Sequence, residues 1–530
     1  MTNDFVPHPQ RFWSEIVALN GQGYYAAALA RMDPIFAVGD PGLAGWKLRG
    51  QALYGLGRFV EALEAFARVV GLDPHGTEGY EHLATAFLAL QQLDRALLTV
   101  GRGLEIDPEN KGLLRLKFIL GWRMGNKDDA LTLAAQHLRR FPDDGPMWHE
   151  RGICYLEAGA DAWALADFEV ACSLMPEHSI AFGNRGTAFW RLGRYAESLE
   201  SFNQAIRLDT NNASAQHHRA LLLLFLGDWV AGFSAYEWRW RDPAHLASKP
   251  SWAHSPWQGE VLPHATLMVY PEQGYGDTIQ FIRFLPMARH RVARVVFYCT
   301  GPLVPLLRYA PGMDCLWEGA LPVPPFDVSV PLMSLPGLLH HSGDDTRETS
   351  SYLPALAWKR PAHDPRHPSY RIGFVWRGRP THKNDHNRSL TLSWFLPFLD
   401  WPRVSWVSLQ EGGAGAIQEH DRFKDRIEVP PLPDFAATAR VMATLDLVIS
   451  VDTAVAHLAG ALGCPVWLLL PFVPDWRWGK DGDGTVWYPS MTLFRQEKPG
   501  DWLGVGHQVS RALKARLQEG TGFSPTAGPD

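Results

Sequence analysis

The chain of 530 residues has only five cysteines and no CxxC pair. Cys154, Cys172, Cys299, Cys315 and Cys464 are odd in number and widely spaced. This excludes a disulfide framework or a cysteine-built zinc cluster and predicts a reducing, cytoplasmic setting. Long apolar runs are also lacking. LLLLFL at 221–226 is far shorter than a membrane span. The opening MTNDFVPHPQRFW has no basic start followed by an apolar run, so no signal peptide is expected. There is no basic excess either. A net charge of −6 excludes a general nucleic-acid binder with its cationic stripe. HExxH and GxSxG are missing, and Gly479-Lys480 lacks the spacing of a Walker loop. EGGAGAIQ at 411–418 is not a GxGxxG, and DGDG at 481–484 reads as a turn, so no metal is expected.

What is present is a period. Pro74, Pro108, Pro142 and Pro176 are 34 residues apart, as are Phe66, Val100, Ala134, Phe168, Phe202 and Tyr236. Ala62, Ala96, Ala130 and Ala164 keep the same register. A fixed period of this length marks a solenoid of helical hairpins. Six units run 43–76, 77–110, 111–144, 145–178, 179–212 and 213–246, with an imperfect forerunner over about 9–42. The fourth carries Trp148, Gly152, Tyr155, Ala164, Phe168, Ala171 and Pro176, the tetratricopeptide pattern. Small residues let paired helices approach, aromatics fill the gaps, and proline starts the turn. The first helix of each unit lines the concave groove. Asn184, His149 and His82 stand there, facing a ligand or solvent. Gln216 and Gly232 make the sixth unit degenerate, as expected where a solenoid joins another domain.

After about residue 246 the pattern changes. Residues 241–264 read as an ordered linker rich in Pro, His and Trp. Strands are expected at 266–270, 292–299, 327–330, 371–376, 404–410, 447–451 and 465–471. Helical patterns lie between them at 277–288, 302–310, 392–399, 434–445 and 453–462, with another at 505–518. This alternation predicts parallel sheets with covered faces. A break dense in proline and charge at 359–370 divides them into two lobes. The expected domains are therefore a solenoid over 1–246, a linker over 247–264, and lobes over 265–360 and 361–530.

Ligands of open parallel sheets bind beyond the carboxyl ends of strands. Three loops fall there. PEQGYGDT (271–278) offers Glu272 and Asp277 as candidate bases, with Gly274 and Gly276 for a tight turn, although Asp277 also suits a helix cap. RGRPTHKNDHNRSL (377–390) collects Arg377, Arg379, Lys383, Arg388, His382 and His386 against one acid, Asp385, which favours a phosphate. VDTAVAHLAGALG (451–463) begins a helix at Asp452 and Thr453, with His457 one turn on. Its positive end can hold a diphosphate, or Asp452 can be a cap and His457 a core residue.

GYGDTIQF and LVISVDTAVAHLAGALGCPVWLLLP resemble segments of heptosyltransferase-type glycosyltransferases of the two-lobed GT-B fold, over about 265–502. The whole chain is similar to bacterial proteins that fuse tetratricopeptide repeats to such a module, flagellin glycosyltransferases among them. HKNDHNRS, VSLQ, PFVPDWRWG, WYPSM and LFRQ…GDW carry that likeness. The layout also resembles protein O-GlcNAc transferase, but only Asn184 takes a place in its asparagine ladder.

The resemblance implies an all-α solenoid followed by an α/β GT-B module of two Rossmann-like lobes. It implies a metal-independent, inverting transferase without cofactor, using a nucleotide-sugar as co-substrate. The implied catalytic residues are Asp277 as base and Lys383 as cation. The implied donor contacts are Gly276, Arg377, Arg388, Asp452, Thr453 and His457. The loop reads THKNDHNRS, unlike heptosyltransferases, which leaves the phosphate cation open among 377–388. The expected partner is a protein acceptor held by the repeats, with flagellin the analogue. The alternatives are transfer to a glycan or lipopolysaccharide sugar and a non-catalytic scaffold.

Overall fold

The computed structural model describes residues 9–320, 322–342, 351–353, 370–382, 384–420 and 424–519. Lys383 and nearly all of the proline-dense break at 359–370 lie outside the described residues. The chain forms two compact units, Met1–Ala188 and Phe189–Asp530.

The first unit is all helical. Its hairpins are α1–α2 (Pro9–Gly21, Tyr25–Val38), α3–α4 (Gly42–Gly55, Phe59–Leu72), α5–α6 (Thr77–Ala89, Leu93–Ile106), α7–α8 (Lys111–Arg123, Lys127–Arg140) and α9–α10 (Gly145–Glu157, Asp161–Leu174). α11 (Ser179–Arg191) contains the boundary between the units. The repeat register explains the packing. A Cβ on Gly50 would sit 2.4 Å from the Phe66 ring, and one on Gly152 would sit 2.7 Å from the Phe168 ring. Only glycine lets each aromatic seat against the first helix of its own hairpin. Tyr80 OH donates to Pro74 O at 3.1 Å, and Trp148 Nε1 to Pro142 O at 3.0 Å. The same position thus ties these two hairpins to the turns before them.

The turns follow the period as well. Gly23, Gly57, Gly125 and Gly159 take positive φ, and Gln91 takes that place once, at φ 59°. Polar contacts link successive first helices. Lys47 Nζ meets Glu78 Oε1 at 3.1 Å, and His149 Nε2 lies 2.9 Å from Asn184 Nδ2. His149 is buried, and that burial pushes its imidazole down to about 4.

The second unit opens with the rest of the helical repeats: α12 (Tyr195–Leu208), α13 (Ala213–Phe225) and α14 (Trp229–Tyr236). A 3₁₀ turn (Glu237–Arg241) and α15 (Pro243–Ala247) follow. The linker is ordered: Trp257 N–H donates to Ser329 O at 2.9 Å, and Ser329 N–H to Ser255 O at 3.0 Å. The first lobe contains β1 (Leu262–Tyr270), α16 (Tyr275–Phe281), α17 (Leu285–Arg289), β2 (Val292–Tyr298), α18 (Val304–Leu307), β3 (Cys315–Trp317), β4 (Val328–Pro331) and α19 (Leu335–Leu338). The continuous helix expected over 277–288 is broken by a 3₁₀ turn at Ile282–Phe284 ahead of Pro286. Proline cannot donate to the preceding turn.

The second lobe contains β5 (Tyr370–Val375), α20 (Asp385–Arg388), α21 (Leu392–Leu399), β6 (Val404–Ser408), α22 (Ala414–Gln418) and β7 (Ile427–Glu428). It continues with α23 (Phe435–Met442), β8 (Leu447–Val451), α24 (Ala454–Leu462), β9 (Val466–Leu470), β10 (Met491–Arg495) and α25 (Trp502–Glu519). All strand pairs in both sheets are parallel. The orders are β3-β2-β1-β4 and β10-β9-β8-β5-β6-β7. β8 and β9 are buried at every residue, as strands covered on both faces must be. Phe395 and Leu399 of α21, with Val505, Val509 and Leu513 of α25, pack with Ile372, Phe374, Trp406 and Ile449. Each such large apolar side chain contributes about 1.5–3 kcal/mol by leaving water. The sequence thus folds as an all-α tetratricopeptide solenoid followed by an α/β region.

Candidate functional site

In the second sheet, β5 and β8 are neighbours although β6 and β7 come between them in sequence. From β5 the chain winds outward one way, and from β8 it winds the other. The crevice beyond the carboxyl ends of these two strands is the topological switch point, where doubly wound sheets take ligands. The basic loop follows β5, and Asp452-Thr453 follows β8. The 471–479 loop follows β9, the next strand. The 271–274 loop follows β1 of the first lobe.

These loops meet. Asp277 stands in the first turn of α16, and its Oδ2 accepts the Gly274 N–H at 2.9 Å. Its Oδ1 accepts from Arg477 Nη2, across from the 471–479 loop. Arg477 is buried and fully engaged. Its Nε donates to Gln280 Oε1 at 2.6 Å and its Nη1 to Asp475 Oδ1 at 2.8 Å. The guanidinium also lies over the Trp476 ring, 4.4 Å from its centroid. Asp277 is therefore held in one orientation by two bonds, with 22% of its side chain still exposed. One oxygen reaches back to its helix start while the other meets Arg477 of the second lobe, so capping leaves the carboxylate in contact with the other lobe.

At Gly276 the first lobe packs closely on the start of α24. A Cβ there would lie 2.8 Å from His457 Cδ2 and 3.4 Å from Ala454 Cα, at the start of α24. His457 cannot readily retreat. Its Nδ1 is 2.8 Å from the Tyr488 hydroxyl, and its ring stacks on Trp478 at 5.3 Å. Burial, then the charges of Arg477, Arg283 and Arg388, push its imidazole well down, so the ring is neutral. Its Nε2 lies 3.9 Å from Asp452 Oδ1. Burial, then the charge of Asp475, pushes the Asp452 carboxyl up to about 6, and Arg388 opposes this. Thr453 is the residue before α24, with its Oγ1 3.1 Å from Ser450 Oγ.

The basic loop contributes unevenly. Arg388 is mostly buried, and its Nε, 3.5 Å from Asp385 Oδ1, makes no hydrogen bond. It packs over Gly378, where a Cβ would meet Arg388 Nη2 at 2.8 Å. Arg377 is exposed, and its N–H donates to Gln410 Oε1 at 3.0 Å. Burial, then the charge of Arg388, pushes the His382 imidazole down, while Asp475 and Asp277 pull it up. Lys383 lies outside the described residues. Glu272, the other carboxylate of the first loop, does not face the crevice. It is fully buried and meets Arg239 Nη2 at 2.9 Å, and burial pushes its carboxyl up.

Sequence reasoning did not single out Asp475 and Arg477. Their segment, PFVPDWRWG, bore only on the family resemblance. The signal was available: it follows β9 at the carboxyl edge of the same sheet, as the basic and DT segments follow β5 and β8.

Tetratricopeptide-repeat family profiles match residues 18–77, 47–111, 117–178 and 179–212. Protein FlbA of Caulobacter vibrioides is 25% identical over 517 residues, covering 89% of this chain and 84% of that protein. Anaphase-promoting complex subunit 3 of Schizosaccharomyces pombe is 22% identical over 29% of this chain and 24% of its own length. Among solved structures, the APC/C hetero-tetramer Cut9–Hcn1 aligns with a TM-score of 0.36 at 16% identity, over 43% of this chain and 45% of that one. A thermophilic tetratricopeptide-repeat protein of Thermus thermophilus aligns with a TM-score of 0.32 at 22% identity, over 34% of this chain and all of that one. The chain therefore carries tetratricopeptide repeats, a protein-interaction architecture, and is similar to FlbA over most of its length. Among the described residues, no helix is long and apolar enough to cross a membrane.

Proposed function

We propose that this chain is a glycosyltransferase of GT-B type. It transfers a sugar from a nucleotide-sugar donor to a hydroxyl of a protein acceptor recruited by the repeats, with flagellin the acceptor implied by the resemblance. One observation carries the reading: a partly open carboxylate, Asp277, is fixed by Arg477 of the 471–479 loop, next to Gly276, which packs on the start of α24. In the step itself, the acceptor oxygen bonds to the anomeric carbon as the bond from that carbon to the phosphate oxygen breaks. The hydroxyl proton goes to Asp277. The charge left on the nucleotide phosphate is met by Arg388, by Lys383 or Arg377 of the same loop, and by the N–H groups opening α24. A carboxylate base with cationic leaving-group support needs no metal. In this reading Arg477, itself held by Asp475, orients Asp277.

Intact-mass analysis of flagellin co-expressed with this chain tests the reading. Wild type is expected to add a sugar, and Asp277→Asn is expected to fold and add none. Wild-type transfer by Asp277→Asn removes the base assignment. An adduct on a glycan but never on a protein favours the glycan alternative. Partner binding without nucleotide binding favours the scaffold. A thermal-shift panel of CMP, UDP, GDP and ADP identifies the base, because a ligand at 100 times its Kd adds about 2.7 kcal/mol of stability.

A further inference from the structure

The last helical hairpin is built into the site. Trp229 and Phe233 of α14 join a ring cluster with Phe281, Trp476 and Trp487. Centroids are 5.2 Å apart for Trp229–Trp487, 5.8 Å for Phe233–Trp476 and 6.4 Å for Phe233–Phe281. Trp476 adjoins Arg477 in sequence and lies under its guanidinium.

The turn after α14 reaches further. Arg239 is fully buried. Its Nη2 donates to Glu272 Oε1 at 2.9 Å and to Ser334 Oγ at 2.7 Å. Its Nη1 donates to Glu237 Oε1 at 2.7 Å and Tyr236 O at 3.2 Å. The Tyr236 hydroxyl accepts from Gln273 Nε2 at 2.8 Å. Glu272 and Gln273 are the two residues before Gly274, whose N–H holds Asp277.

From this geometry we infer that Tyr236 and Arg239, residues of the repeat region, are positioning residues for Asp277, an inference that rests on the role proposed for Asp277 above. They hold two consecutive residues of the loop that presents the carboxylate. Trp229 and Phe233 meanwhile back the Trp476-Arg477 segment that holds its other oxygen. A buried ion pair is a poor source of stability compared with apolar residues of the same volume. Fixing the geometry of the 271–278 loop gives this pair a purpose that stability does not.

The test compares Arg239→Met, Glu272→Met, the double variant and Tyr236→Phe in the full chain. Arg239→Met strands the buried Glu272 carboxylate and lowers Tm most, Glu272→Met leaves Arg239 with Glu237 alone and lowers it less, and removing both recovers much of the loss. The folded double variant is expected to lose about 10- to 100-fold in kcat, as a small misplacement does, with acceptor KM unchanged. Amides of 271–278 are expected to exchange faster than in wild type. Recovery of wild-type kcat and exchange together with Tm overturns the inference. If the wild-type chain transfers no sugar, exchange alone decides. Faster exchange at 271–278 in the double variant supports the positioning role, and unchanged exchange overturns it. If the double variant does not fold, Tyr236→Phe, which deletes one hydroxyl, is read in the same way.

Discussion

Gln91 sits at φ 59° where the neighbouring repeats place glycine, and its side chain is exposed. A left-handed conformation costs an L-residue roughly 1–2 kcal/mol, partly offset by glycine's greater freedom when unfolded. Gln91→Gly should therefore stabilise the first unit by about 0.5–1 kcal/mol, read from urea unfolding. Asp452 works in the opposite sense. Its carboxyl holds a proton more tightly in the folded chain, at about 6 against 3.8, because it is buried beside Asp475. The stability it contributes is full below about pH 4 and is lost as pH rises through about 6. Asp452→Asn lacks this dependence. Its stability relative to wild type should rise between about pH 4 and about pH 8 by on the order of 2 kcal/mol, measured by denaturation at each pH.

At the scale of elements, the contact of α16 with α24 hinges on one missing side chain. Gly276→Ala puts a methyl 2.8 Å from a histidine that Tyr488 holds in place. The strain should cost about 1–3 kcal/mol and lower any transfer activity. Gly415→Ala, on α22 with open space around it, should not destabilise. The two variants compared by thermal melt check this.

The same scale explains what could be read from the sequence. The 34-residue period carried the solenoid because the same register recurs from hairpin to hairpin, with Phe168 against Gly152 as Phe66 against Gly50. The strands before the three candidate loops were legible because their apolar runs are bounded by polar turns. β3, β7 and β10 were not: three and two residues are too few for a pattern, and MTLFR of β10 carried no strand reading. Gly276 could be read as a turn glycine, but its neighbour His457 lies 181 positions away, and no local rule joins them. Arg239 lay in the degenerate sixth unit and drew no reading of its own. Its partner Glu272 read as a catalytic candidate, because a lone carboxylate in a loop does not announce that it is buried.

For the whole molecule, the compact units divide at Ala188 and Phe189, and the period continues beyond that point to about residue 246. Trp229, Phe233, Tyr236 and Arg239 all touch the lobes. A fragment of residues 189–530 should therefore be soluble and melt cooperatively. A fragment starting at 247 takes the Arg239 guanidinium from Glu272 and the Trp229 and Phe233 rings from Trp476 and Trp487, and should aggregate or melt at markedly lower temperature. Expression and calorimetry of the two fragments compare them. The repeats of the first unit keep a constant phase: the prolines at 74, 108, 142 and 176 recur at whole periods of 34 residues. Inserting or deleting one complete period of 34 residues upstream of Phe189 keeps that phase, whereas a fraction of a period would break it. The arm is in effect a ruler graduated in single hairpins. Its length can change by whole graduations while the end that holds the crevice keeps its form.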